Sequence, residues 1–90
     1  MKVEIHPRVA EKHQELTEHD IRYAVLNTIK SLTRTGTDPL QVVGVGPDRN
    51  GRILQWVGNR VLDDPADADS WFIYHALPVT MKVLYELEMI

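Results

Sequence analysis

The stretch that decides the fold runs Leu40-Gln-Val-Val-Gly-Val-Gly-Pro-Asp-Arg-Asn-Gly-Arg-Ile-Leu-Gln-Trp-Val57. Two runs rich in Val, Ile, Leu and Trp flank Asn50-Gly51. Both of those residues tolerate positive φ, which makes the pair a strong short-range hairpin signal. The expectation is two antiparallel neighbours, the second continuing through Arg60 to Leu62 with Gly58-Asn59 as a bulge. Asp63-Asp-Pro-Ala-Asp-Ala-Asp-Ser70 then reads as a solvated loop, too charged and Pro-broken to be buried. Trp71-Phe-Ile-Tyr-His-Ala-Leu77 is a third strand, apolar on both faces and therefore central in the sheet. Pro78 is expected to end it and to sit in the first turn of a helix with Val79, Val83, Leu84 and Leu87 as its buried stripe, ending at Ile90.

Upstream, Lys2 to His6 alternates polar and apolar, as a short edge strand does, and Pro7-Arg8 introduces a helical turn around Val9 to His13. Thr17 and Asp20 have the spacing of a capping box, with Leu16 and Ile21 at the positions of a hydrophobic staple. A helix from Thr17 would carry Ile21, Val25, Ile29 and Leu32 on one stripe, with Ala24 and Thr28 between them. Ser31 to Pro39 closes it with Gly36 and a Thr-Asp-Pro turn. The fold class that follows is α+β: one domain over residues 1–90, with an N-terminal helix or helices packed on a three- to four-stranded antiparallel sheet and a C-terminal helix.

Ninety residues suffice for one core and not for two. The absence of cysteine excludes disulfides and thiolate metal sites and suits a reducing compartment. Charges at Lys2, Glu4 and Arg8 exclude a signal peptide or membrane span at the start, so a cytoplasmic protein without membrane contact is expected. The formal net charge is −3. Four of the thirteen acids (Asp63, Asp64, Asp67, Asp69) fall in the polar loop, leaving ten basic against nine acidic residues elsewhere. That balance is less positive than a free RNA-binding enzyme usually shows. His6, His13, His19 and His75 have no metal-ligand spacing, and the aspartate loop lacks the glycine and terminal glutamate of a calcium loop. Val43-Gly-Val-Gly is not followed by a third glycine or a helix, so neither metal nor nucleotide cofactor is expected.

The segment from Val42 to Gln55, followed by Ile73-Tyr-His-Ala76 and a helix with Thr80 and Lys82, resembles the small BrnT-like toxins of the RelE/ParE class. His6-Pro-Arg-Val9 and Glu15-Leu-Thr-Glu-His-Asp20 are similar to actinobacterial toxin-labelled proteins of comparable length, so the resemblance covers nearly the whole chain in short motifs. It implies the toxin component of a bacterial toxin–antitoxin pair, a cognate antitoxin as partner, and metal-independent RNA cleavage in which a 2′-hydroxyl attacks the adjacent phosphate. Such chemistry needs a base, an acid and a cation at the phosphate. On this resemblance His75, Arg52, Tyr74 and Lys82 are the candidate catalytic residues, and Arg49, Arg60 and Arg34 the candidate RNA contacts.

Departures accompany the likeness. Ala76-Leu77 stands where an Ala-Arg pair is expected, Pro78 where a second arginine often follows, and Val83 in place of an acid. The strand-to-helix corner is therefore apolar where the enzyme would be cationic. Each candidate also has a plainer role: His75 as a hydrogen-bonded strand histidine, Arg52 as the partner of Asp48, Tyr74 and Trp71 as core or interface aromatics. Whether the chain is an enzyme is left open by its residues, the alternative being a non-catalytic interaction module on a toxin-like fold. Large aromatics in so small a sheet point to a partner surface or a homo-oligomer.

Overall fold

The computed structural model describes residues 1–13, 15–38, 40–61 and 69–90. The element order is β1 (Lys2–Ile5), α1 (Arg8–Lys12), α2 (Glu18–Leu26), β2 (Lys30–Arg34), β3 (Gln41–Pro47), β4 (Ile53–Val61), β5 (Ser70–Pro78) and α3 (Met81–Glu86). The strands form one sheet in the order β1-β5-β4-β3-β2. All neighbours are antiparallel except β1, which runs parallel to β5 with Lys2 opposite Ser70 and Ile5 opposite Ile73. The class is α+β as expected, but among the described residues the sheet has five strands and is mixed, not antiparallel with three to four. No helix among the described residues is long and apolar enough to cross a membrane.

Two apolar layers sandwich the sheet. On one face Val3, Val9, Leu16, Ile21, Val25 and Ile73 pack α1 and α2 onto the strands; on the other, Val43, Val45 and Val57 meet Val83 and Leu87 near α3. Burying each such aliphatic side chain contributes about 1.5–3 kcal/mol. Gly46 allows α2 to lie close, because a Cβ there would collide with the Ala24 carbonyl oxygen.

The start of α2 follows its sequence signal. Thr17 caps the helix, its Oγ1 accepting the Asp20 N–H at 3.1 Å, while the Asp20 carboxylate accepts the Thr17 N–H at 3.1 Å. Its end corrects the expectation. The helix stops at Leu26, and the expected stripe residues Ile29 and Leu32 are exposed, Leu32 within the edge strand β2. Thr28 helps to end it: its hydroxyl donates back to the Val25 carbonyl at 2.6 Å and accepts the Trp56 indole N–H at 3.0 Å. Such local side-chain bonds compete with helical continuation.

The hairpin between β3 and β4 forms as expected, with a different turn. Asp48 N–H donates to Arg52 O at 2.8 Å and Gly51 N–H to Asp48 O at 3.1 Å, so Arg49 to Gly51 make a three-residue loop. Gly51 has φ of 83° whereas Asn50 stays at negative φ. The buried Asp48 carboxylate accepts the N–H groups of Asn50 and Arg52, each at 2.9 Å, and closes the loop.

β4 continues past Gly58 as expected, and a register irregularity falls at Val57/Gly58. The extra residue lies on the other strand: His75 opposes Val57 and Ile73 opposes Gly58, leaving Tyr74 over. β5 ends at Pro78 as expected, with that residue still in the strand opposite Leu54, but Pro78 does not enter the first turn of a helix. Val79 N–H donates to Ile53 O at 3.0 Å, so position 78 faces away from β4 and its missing N–H costs no ladder bond. The helix starts later, at Met81 after the Thr80 cap, which buried Gln55 holds by accepting the Thr80 N–H and hydroxyl at 2.8 and 2.9 Å. Leu62, Pro39 and all of the acidic loop except Asp69 and Ser70 lie outside the described residues.

Candidate functional site

The bulge at Tyr74 positions the site. Before it, Ile73 faces the α1/α2 layer; Tyr74 packs toward the α3 layer; after it, Ala76 faces the α1/α2 layer again. His75, in between, is left exposed. β1 pairs with β5 only as far as Ile73, where His6 N–H donates to Ile73 O at 2.8 Å, so beyond Ile73 no described strand pairs with that edge of β5 and α1 stands beside it.

Between that edge and α1 lies an open cleft of about 200 Å³. Its walls bring together His6, Arg8, Lys12, His13, Tyr74 and His75, over Val9 and Ala76. Arg8 and Lys12 are four apart on the short helix and so share a face. No carboxylate among the described residues lines the cleft, although acids outnumber bases in the chain. Neither Arg8 nor Lys12 has a carboxylate partner among the described residues.

The three imidazoles are held differently. His6 Nδ1 accepts the Arg8 N–H at 3.1 Å, and its ring meets Phe72 edge-on at 6.0 Å. A neutral His6 therefore carries its proton on Nε2. His13 Nδ1 lies 3.6 Å from Glu15 Oε1. His75 makes no side-chain hydrogen bond with the described residues. Although the residue is exposed, desolvation of its ring by the atoms packed around it, followed by the charges of His13, Lys12 and Arg34, holds its pKa below the ordinary imidazole value. At neutral pH His75 is thus a free base facing cations, which suits proton abstraction next to a bound anion. No group of three His, Asp or Glu among the described residues is arranged to hold a metal ion.

Of the residues singled out from the sequence, His75 and Tyr74 line the cleft. The others lie elsewhere. Arg52 pairs with Asp48, Nε to Oδ2 at 3.0 Å, and its Nη2 reaches Glu15 O at 3.4 Å, which is the plainer role foreseen for it. Hydrogen bonds from Arg52 and Asn50 outweigh the burial of Asp48 and keep its carboxyl below the usual range. Arg49 is exposed at the hairpin tip. Arg60 stacks over Trp71, 5.2 Å from the ring centroid, in a separate groove. Arg34 is committed to Glu86, and Lys82 is exposed on α3, against the opposite face of the sheet from α1. Trp71 itself is packed, meeting Trp56 edge-on at 5.9 Å and donating from Nε1 to Asp69 at 2.9 Å.

His6, Arg8, Lys12 and His13 were not among the sequence candidates. Two cations at helical spacing followed by a histidine, Arg8-Lys12-His13, are the local signal that could have found them. Their meeting with His75 depends on the pairing of β1 with β5, which no local pattern encodes. Among known proteins, no family model matches this chain, and no curated protein or solved structure matches it either.

Proposed function

We propose that this chain is a metal-independent endoribonuclease of the small bacterial toxin kind, acting in the cytoplasm and restrained by a cognate antitoxin. The observation that carries the reading is the convergence of His6, His13, His75, Arg8 and Lys12 on one open cleft with no carboxylate on its walls among the described residues. In the reaction His75 takes the proton of a 2′-hydroxyl, and the O2′–P bond forms as the P–O5′ bond breaks. His13 delivers a proton to the departing O5′, leaving a 2′,3′-cyclic phosphate and a 5′-hydroxyl. Arg8 and Lys12 neutralise the non-bridging oxygens, whose charge grows in the transition state. Acid–base assistance of this kind is worth about 10²–10⁴-fold. The cations absent at Leu77 and Pro78 are replaced, on this account, by those of α1.

Induced expression in bacteria tests the reading in the cell. Growth arrest that disappears in a folded His75→Asn variant supports it; unimpeded growth with abundant folded wild-type protein contradicts it.

A second reading, a non-catalytic interaction module, is favoured by a different observation. Leu26, Ile29 and Leu32 are 51, 60 and 44 % exposed along the end of α2 and the terminal strand β2. Apolar side chains beside an unpaired strand edge mark a surface that takes a partner segment. An Ile29→Lys, Leu32→Lys variant that folds but no longer binds its partner supports that role.

A further inference from the structure

We infer that the cleft between β5 and α1 is a proton-coupled oxyanion site, taking up a phosphodiester-type group together with a proton accepted by His75. The inference rests on the cleavage reading for the identity of the ligand and adds the ligand's charge class and its dependence on pH.

An oxyanion in the cleft would meet Arg8 and Lys12 of α1, which no described carboxylate neutralises, and the imidazoles of His6, His13 and His75. Fixed cations alone would bind a constant-charge anion with the same strength at every pH near neutrality. Imidazoles change that, because they alone titrate in this range without perturbation. His6 already accepts the Arg8 N–H on Nδ1, so its Nε2–H can donate to the anion without any proton uptake. His75 is left to take up a proton.

The groups facing His75 come from every element around it. His6 stands at the end of β1, Arg8 and Lys12 on α1, and His13 with its neighbour Glu15 after α1. Tyr74 precedes it on β5, while Arg34 acts from β2 with its charge shared by Glu86 of α3. Apart from Glu15 and the paired Glu86 these groups are cationic or neutral; desolvation first, and then the charges of His13, Lys12 and Arg34, oppose protonation of His75. A bound anion offsets the cationic part of that opposition, so anion binding raises proton affinity and, reciprocally, protons raise anion affinity.

The test uses the full chain, with two probes whose charge is constant across the range: sulfate, and the dinucleotide thymidylyl-thymidine, a diester that lacks the 2′-hydroxyl and cannot be cleaved. Affinity and histidine ring resonances are followed by NMR between about pH 5.5 and about pH 7.5. The expected result is affinity weaker by roughly tenfold or more at the higher pH, reported by the rings of His6, His13 and His75. In sulfate, the titration midpoint of His75 moves up. His19→Asn, on the exposed side of α2, keeps the full pH dependence, and His75→Asn flattens it. Should His75→Asn fail to fold, calorimetry of the wild type in buffers of different ionisation enthalpy decides instead, by counting protons taken up on binding.

Affinity that is equal across the range, no net proton uptake, or ring shifts confined to His19 would overturn the inference. Binding of sulfate but not of the dinucleotide would assign the site to free inorganic oxyanions and overturn its phosphodiester part. Proton-coupled dinucleotide binding by a chain that leaves RNA intact would uphold the inference and remove the cleavage reading. RNA cleavage with pH-independent binding would do the reverse.

Discussion

Arg34 of β2 and Glu86 of α3 are joined by two hydrogen bonds, Nε to Oε2 at 2.7 Å and Nη2 to Oε1 at 2.8 Å, which fasten the terminal strand of the sheet to the C-terminal helix. Arg34 also reaches Gln41 on β3 at 3.4 Å, so its guanidinium is spent on structure. The Arg34 hydrogen bond holds the Glu86 carboxyl below its usual range despite the opposing effect of burial. Because the folded pKa is depressed, this contribution is present above the unfolded value of about 4.3 and is lost as the pH falls through the folded one. Glu86→Gln is expected to lose about 1–2 kcal/mol in urea unfolding at neutral pH. The difference from wild type should vanish once the pH is taken below the folded value. An equal difference at both pH values would contradict this account of the pair.

Gly44 lies beneath the indole of Trp56, where a Cβ would run into the ring. Gly46 is still more constrained, since its Cβ would meet backbone oxygens of α2, with Asn27 O at 3.0 Å. Backbone cannot step aside as a side chain can. Gly46→Ala should therefore cost at least about 2 kcal/mol and Gly44→Ala less if Trp56 can tilt. Tryptophan fluorescence should change in the second variant more than in the first, because the Trp56–Thr28 hydrogen bond is broken when the ring moves.

The Thr17 cap predicts a smaller effect. Thr17→Ala removes the acceptor for Asp20 N–H and should cost about 1 kcal/mol, measured by denaturant unfolding. Thr17→Ser should recover most of it.

These particulars also show what could be read from the residues. Thr17–Asp20 and Asn50–Gly51 are local devices, each legible within a few positions, and both act where expected. Ile29 and Leu32 misled because their spacing continues the helical stripe of Ile21 and Val25, although the helix stops at Leu26 and a strand begins at Lys30; packing on β3 decided for the strand. The pairing of β1 with β5 joins residues about seventy positions apart, and no local period announces such contacts. The same distance hid the site. His75 was recognisable as a candidate, but its companions on α1 reach it only through that pairing, and the shift of faces at Tyr74 is invisible in the alternation of Trp71 to Leu77.

Stability should fall on mild acidification because of His75. Its folded pKa is depressed, so the unfolded chain binds more protons below about pH 6.5, and stability is lost as the pH falls from there toward the folded value. Thermal unfolding is expected at a lower midpoint near pH 5 than near pH 7, with a smaller decrease in His75→Asn. A midpoint that drops equally in both proteins would contradict the assignment to this residue.

Cleavage of single-stranded RNA by the purified chain in excess EDTA bears most directly on the claim that the β5–α1 cleft is catalytic. The account predicts products ending in 2′,3′-cyclic phosphate and a rate reduced by at least about 100-fold in His75→Asn, with the unfolding midpoint at neutral pH retained. RNA left intact by the folded wild type, or cut as fast by His75→Asn, would contradict it.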